Sequence, residues 1–595
     1  MRKARQIRGA DRAAARGVYC LMLFARGLAC TSLAWGLALG LVVARDADAQ
    51  GVGSPGEERR PPLPAFDETP PEARRPILPP TPLAGPEATP GAPSGPRVLV
   101  RGFRIRGSSV FDDAELREVL AAYNGREISS GELVEIRDAL TRHYVEAGYV
   151  NSGALIPDQS LEDGIVEIQV VEGRLAAVQV SGQSHFREGP LRDRIMSGLR
   201  IPLDVSALES NLQLLQQDPR IARVYAQLLP TEQRGDALLV VRIEENSAVH
   251  LDLEASNYAP VAFGGYRGLV RLAHENLLGF GDTLETRYLG AEGLQRVGLG
   301  YDVPLTARGT LLEMSGEYSH ARVVEEPFDT LDIKTDYYAA HVGVTHPLYR
   351  SPRTQLRAGF DFDWRRADTC LGVLEDLIGC DPFDFTDSGA TGGKTAVSAL
   401  RFTTDFQHVE RNQVFAARSV LSVGLPVLGA QGGGVTPDGE FVAWLGQLQW
   451  AGRFDPWGLQ AIFRTDLQFA NDGLPTLERI PVGGHASVRG YRENELVRDQ
   501  AVISSLELRL PVWRLEGRPI VEVAPFFDFG YSNDVGRPTP GPATLASVGL
   551  GLRVYPLRSL EMLVYWGHQL NSVPTLGDGD LQDDGVQFRV DWRPF

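Results

Sequence analysis

The chain has 595 residues, a formal net charge of −17 and a sequence pI of about 5.2. This length calls for more than one domain. The acidic balance speaks against nucleic acid as a partner, since nucleic acids are held by basic surfaces.

The chain opens with Arg2, Lys3, Arg5, Arg8, Arg12 and Arg16, followed by an apolar stretch from Gly27 to Ala44 and then Ala47-Asp48-Ala49. A basic region, an apolar region and a small-x-small site describe a secretory signal over residues 1–49. Cys20 and Cys30 fall within it, which leaves Cys370 and Cys380 around a short loop. An even pair in an exported chain reads as a disulfide. Residues 50–97 hold 14 prolines among Gly, Glu and Ala. That composition cannot bury a core, and the segment reads as a periplasmic linker. No amphipathic helix that could plug a pore is evident in it.

Residues 98–174 read as a small α/β unit. A strand at Val98–Arg106 ends on Gly107. Asp112 with Glu115, and Ser129 with Glu132, form capping boxes ahead of two helices, and Ile165–Val171 is a further strand. A second unit, 175–247, repeats the pattern: Val178–Gly182 echoes Phe103–Gly107. Ser206 with Glu209 is expected to cap a helix, and strands follow at 221–229 and 237–243. Arg234-Gly235-Asp236 between those strands is a hairpin turn by composition.

From about residue 248 to 595 the helical period gives way to alternation. Sixteen segments can be counted, near 248–257, 264–275, 282–291, 294–303, 309–321, 334–346, 353–365, 394–408, 411–425, 440–452, 458–470, 499–511, 519–530, 542–554, 559–570 and 584–595. Short Pro- or Gly-bearing turns alternate with long connections, notably 366–393, 426–439, 471–498 and 571–583. One face of each segment is apolar. The other carries charge, as in Glu285 with Arg287, Glu507 with Arg509, and Glu522 with Asp528. An even-stranded antiparallel transmembrane barrel with a polar lumen needs this pattern. The expected fold class is mainly β: a 16-stranded barrel at 248–595 behind two small α/β domains, which the even count puts on the periplasmic side.

Enzyme signatures are weak. Gly389–Thr395 approaches a phosphate-binding loop but is one residue short and lacks the strand-loop-helix context. The histidines show no metal-ligand spacing, and no nucleophile elbow is present. No catalysis, cofactor or metal is expected.

Five places carry a family resemblance that covers about 98–595. They are the tandem α/β units, with Gly107, Tyr144, Gly148-Tyr149-Val150, Ile156-Pro157 and Val171-Glu172-Gly173 in the first; Asn276–Asp282; Gly483-Gly484 followed by Ser487-Val488-Arg489-Gly490-Tyr491; Phe526–Gly530, with Phe526, Asp528 and Gly530 on one face; and the terminal Phe595. The chain resembles the outer-membrane transporter of two-partner secretion, of the haemolysin secretion/activation type, within the Omp85 superfamily. The resemblance implies that the two α/β units are POTRA domains. It implies that loop 471–498 folds back into the lumen, where Arg489 meets Asp528 on the inner wall. It implies that Phe595 signals to the barrel-insertion machinery. It further implies a monomer in outer-membrane lipid that takes an unfolded, β-rich secreted protein as its partner. The alternatives are an Omp85 assembly factor, a passive porin and a plugged surface receptor.

Overall fold

The computed structural model describes residues 77–78, 97–160, 163–373, 379–385, 388–430, 437–454, 456–574 and 579–594. The signal segment 1–49, Phe595, and all of the linker except Ile77, Leu78 and Arg97 lie outside the described residues.

The first small domain splits its expected opening strand into Val98–Val100 and Gly102–Arg106. The first piece pairs with Arg126–Ile128, while the second runs parallel to Ile165–Val171. The break follows from these two pairing partners. Helix Asp113–Val119 starts at Asp112, whose side chain accepts from the Glu115 N–H. Helix Ser130–Glu146 has a complete capping box between Ser129 and Glu132. Its Ile136, Leu140 and Tyr144 fill the core at helical spacing.

The second domain departs from expectation twice. A helix at Glu188–Met196 was not anticipated. Its N-cap, Arg187, makes no side-chain cap bond, so the usual start signal is missing. The cap of helix Val205–Gln216 is Asp204, which accepts from the Ser206 and Ala207 N–H groups; it is not Ser206. Strands Arg174–Ser181, Asp236–Glu245 and Ile221–Pro230 form the sheet, in that order, with Ile221–Pro230 at an edge. Arg234 and Gly235 lie in its hairpin turn, and Asp236 is engaged by Arg174 at 2.7 Å. The two domains are tied together where Leu203 N–H donates to Gly173 O (2.7 Å) and Val205 N–H to Gly148 O (3.2 Å).

Among the described residues, sixteen long antiparallel strands close a barrel, from Val249–Ser256 to Val586–Trp592. A two-residue piece, Asp381–Pro382, pairs beside the seventh strand. Each strand falls in one of the sixteen alternating segments. The sixth and seventh, Ile333–Arg350 and Thr354–Leu371, run longer than expected: pairing continues outward to Ile333↔Leu371 on the seventh, and the sixth runs on toward the short turn through Tyr349↔Leu356 and Arg350↔Gln355. Closure comes from four pairs between the last and first strands, Arg589↔Ser256 to Trp592↔Leu253.

The barrel is inverted relative to a water-soluble protein. Val548, Leu550 and Leu552 are 40–51% exposed on the outside, while Ser547 and Arg553 are buried within. So much apolar outer surface is stable only with lipid as the solvent. Tyr349, Trp457 and Trp513 are exposed near the short turns, as expected of an interfacial aromatic belt. No described helix is long and apolar enough to cross a membrane.

The second small domain docks on the first short turn, Asn276–Asp282. Arg187 N–H donates to Gly279 O (2.9 Å), and its guanidinium lies 4.3 Å from the Phe280 ring centroid. Arg220 donates to Gly281 O while holding Asp218. Burial alone would raise the Asp218 carboxyl, but Arg194 and Arg220 outweigh it and hold it well below the usual carboxylate range.

Candidate functional site

The connection between the eleventh strand, Leu459–Ala470, and the twelfth, Gln500–Leu515, does not project outward. It forms a short hairpin of Ile480–Val482 with Leu496–Arg498, and the tip 483–495 lies inside the barrel. Ile480, Val482, Val488, Tyr491 and Leu496 pack with Ala501, Ile503 and Leu545 of the wall. The hairpin therefore has an apolar seat in an otherwise polar lumen.

Glycines set the shape of the tip. Gly483, Gly484 and Gly490 have φ of 110°, 99° and 90°, which a side chain would resist. Ser487 Oγ accepts from the Gly483 N–H at 2.8 Å, closing the turn. Gly490 sits directly on the wall: a Cβ there would lie 2.7 Å from Gly567 O, and one on Gly567 would lie 2.7 Å from Gly490 Cα. Gly530 plays a related part, since a Cβ on it would lie 2.6 Å from Val482 Cγ1 and 3.0 Å from Val488 Cγ2.

Arg489 points into the wall. Its backbone N–H and Nε donate to Asp528 Oδ2 at 3.0 and 2.8 Å, and Nη2 donates to Asp528 Oδ1 at 2.9 Å. Nη2 also reaches Ser505 Oγ at 3.1 Å, and Nη1 donates to Glu507. Glu507 in turn accepts from Arg509 Nε at 2.6 Å. The guanidinium stacks 3.8 Å from the Phe526 ring centroid and 4.8 Å from that of Tyr565. Two cations thus face two carboxylates, with Asp528 fully buried and Arg489 7% exposed. Such a set is favourable in a desolvated place because the geometry is bidentate and the charge is balanced. A cation–π contact adds to it.

The strand pleat explains which residues converge. On the thirteenth strand, Arg518–Asn533, the even positions Glu522, Phe526, Asp528 and Gly530 face inward, and Phe527 faces out. Register sets Ser505 opposite Asp528 and Glu507 opposite Phe526. The structure therefore brings Gly483, Gly484, Ser487, Val488, Arg489, Gly490 and Tyr491 together with Phe526, Asp528 and Gly530. Tyr491 is fully buried. Its hydroxyl lies 2.9 Å from Ala546 O and 2.7 Å from Asn571 O. Cys370 and Cys380 are elsewhere, disulfide-bonded with Cα atoms 5.5 Å apart near the outer end of the seventh strand.

Sequence reasoning missed a second anchor. Glu478, at the base of the loop, accepts from Arg401 Nη1 and Nη2 at 3.0 and 2.6 Å and from Arg365 Nη1 at 3.4 Å. Those arginines belong to the eighth and seventh strands. Here a loop anion meets wall cations, the reverse of the Arg489 arrangement. Farther out, Arg492 bridges Glu325 and Asp583. Below the loop, at the periplasmic end, a cavity of about 1050 Å³ lies between the second small domain and the barrel, and Arg194, Arg271 and Arg350 are among its lining.

One cluster has metal-ligand character: Glu313, His341 and Asp361 bring ligand atoms within 4.8 Å of one another on the inner wall. His341 Nδ1 lies 3.0 Å from Asp363, Thr403 donates to Asp361 at 2.9 Å and Thr345 to Glu313 at 3.4 Å.

Comparison with known proteins agrees in both parts of the chain. Residues 98–173 match the POTRA domain of ShlB type, and residues 385–554 match the haemolysin secretion/activation protein family ShlB/FhaC/HecB. The outer membrane transporter CdiB of Escherichia coli O6:K15:H31 (strain 536 / UPEC) is 21% identical over 69% of this chain and 68% of its own length. The heme/hemopexin transporter protein HuxB of Haemophilus influenzae (strain 86-028NP) is 22% identical, and the match covers 42% of this chain and 44% of that relative. Among solved structures, CdiB from Escherichia coli has a TM-score of 0.63 at 18% identity, covering 86% of this chain and 93% of that one. CdiB from Acinetobacter baumannii has a TM-score of 0.59 at 17% identity, covering 84% and 90%. The chain thus joins a ShlB-type POTRA match at 98–173 to a closed 16-stranded barrel whose residues 385–554 match the haemolysin secretion/activation family, and it shares the fold of the CdiB outer-membrane transporters.

Proposed function

We propose that the protein exports a partner polypeptide across the outer membrane, and that loop 471–498 is the latch that the passing chain displaces. One observation carries this reading: the loop lies inside the lumen and is clamped to two separate stretches of wall, the twelfth and thirteenth strands through Arg489 and the seventh and eighth through Glu478. A passive porin has no use for a clamped loop or for tandem periplasmic domains. The partner arrives unfolded and β-prone, and adds to an exposed sheet edge such as Ile221–Pro230. It then passes the arginine-lined cavity beneath the barrel. Folding outside gives the movement its direction, and a monomer in outer-membrane lipid suffices.

The test is secretion of a co-expressed exported partner, sought in the gene beside the one for this chain, by cells carrying Arg489→Ala. The expected outcome is a loss of about tenfold or more, with the barrel still inserted and heat-modifiable on gels, since truncation leaves Asp528 buried without its cation and takes one of two cations from Glu507. Normal export by that variant would sink the role assigned to the loop.

A further inference from the structure

Two residues of the Pro-rich stretch are set against the second POTRA domain. Leu78 is 6% exposed and belongs to the same buried cluster as Leu191, Leu208 and Leu212, with Ile77 packed at its edge. The Ile77 N–H donates to Glu209 Oε1 at 2.9 Å. Glu209 stands on helix Val205–Gln216, where Gln213 Nε2 approaches the same oxygen at 3.4 Å. The contact joins positions 132 residues apart. In sequence, Pro76 and Pro79 flank the pair. Proline has no N–H, so this stretch offers an apolar pair with few donors, and the chain bends at Ile77 and Leu78.

The recognition elements are a backbone N–H to a fixed carboxylate and an aliphatic side chain in an apolar hole. Neither element reads a side-chain functional group. They suit any short aliphatic pair with a free backbone N–H, which a β-prone chain rich in Val and Ile displays repeatedly.

We propose that the second POTRA domain carries a docking site for a short aliphatic pair, held in cis by Ile77–Leu78, and that an aliphatic segment of the exported protein competes for it. The competition rests on the export reading above; the site itself does not.

The experiment uses the full chain in detergent and a fluorescent peptide of residues 71–84, read by polarisation. Leu78→Asp vacates the site from the linker side and alters no helix or strand of the domain. The peptide is expected to bind the Leu78→Asp chain about tenfold or more tightly than the wild-type chain, whose tethered segment competes at high effective concentration. A peptide carrying the same Leu78→Asp change is expected to bind neither. Equal binding of the unaltered peptide by both chains would overturn the site. An alternating Val/Ile peptide should displace the labelled one from the Leu78→Asp chain, whereas a Ser/Gly/Asn peptide should not. Failure of the Val/Ile peptide would overturn the competition. No secretion enters this assay, so its failure is distinguishable from a failure of the export reading, which Arg489→Ala tests separately.

Discussion

Arg489 is held by three wall acceptors, and its partners differ in weight. Asp528 takes three of its donors and is fully buried, while Glu507 is shared with Arg509. Asp528→Asn should therefore weaken the latch without abolishing it, and Asp528→Ala should approach Arg489→Ala. Breaking a buried pair costs about 3–5 kcal/mol. The expected reading is a rise in ion conductance across planar bilayers, graded Asn below Ala. Gly490→Ala tests the seat itself: its φ of 90° and a Cβ 2.7 Å from Gly567 O should unseat the tip with the ion pair chemically intact. Conductance no different from wild type would mean that the wall yields. At this scale the sequence is partly legible. Alternation along 519–530 puts Asp528 on the polar face. Glu507 falls on the polar face in the same way, but its level opposite Phe526, and that of Ser505 opposite Asp528, is not readable, because register slips at Pro511 and Trp513 defeat counting back from the turn.

Loop 471–498 works as one element with two anchors of opposite sign. Glu478→Gln should keep most of its shape while losing charge beside Arg365 and Arg401. If either anchor alone retains the loop, Glu478→Gln combined with Asp528→Asn should open the pore by more than the sum of the single effects. Strict additivity in a double-mutant cycle would show that the anchors do not share one element. The strands were legible as elements because a side-chain period of two over many residues has few other readings. Glu478 was not, because its partners lie 77 and 113 residues away and leave no local period. Helix Glu188–Met196 escaped for a local reason: it begins without a side-chain cap.

For the whole molecule, the second small domain docks on the first short turn through residues that also carry a set of charges. Asp218 is held below its ordinary range when folded, so it contributes stability that is present above an unfolded pKa of about 4 and is lost as pH falls below it. Spin labels on the domain and the barrel should keep a narrow distance distribution at neutral pH and broaden progressively as the pH is taken down from about 4 toward the depressed folded value. Asp218→Asn should broaden it at neutral pH and remove most of the change on acidification. A wild-type distribution that stays narrow in acid would assign the docking to the backbone bonds at Gly279 and Gly281 instead. The two-domain-plus-barrel plan was legible from composition and period, whereas the docking was not, since it depends on backbone carbonyls that any sequence offers. The contact of Gly490 with Gly567 has its own consequence. Main chain rests on main chain there, with no flexible side chain between them to bend by degrees. Such a seat is either made or vacated, so the pore behaves as a switch, and its current should step between discrete levels with measurable dwell times instead of drifting through intermediate values.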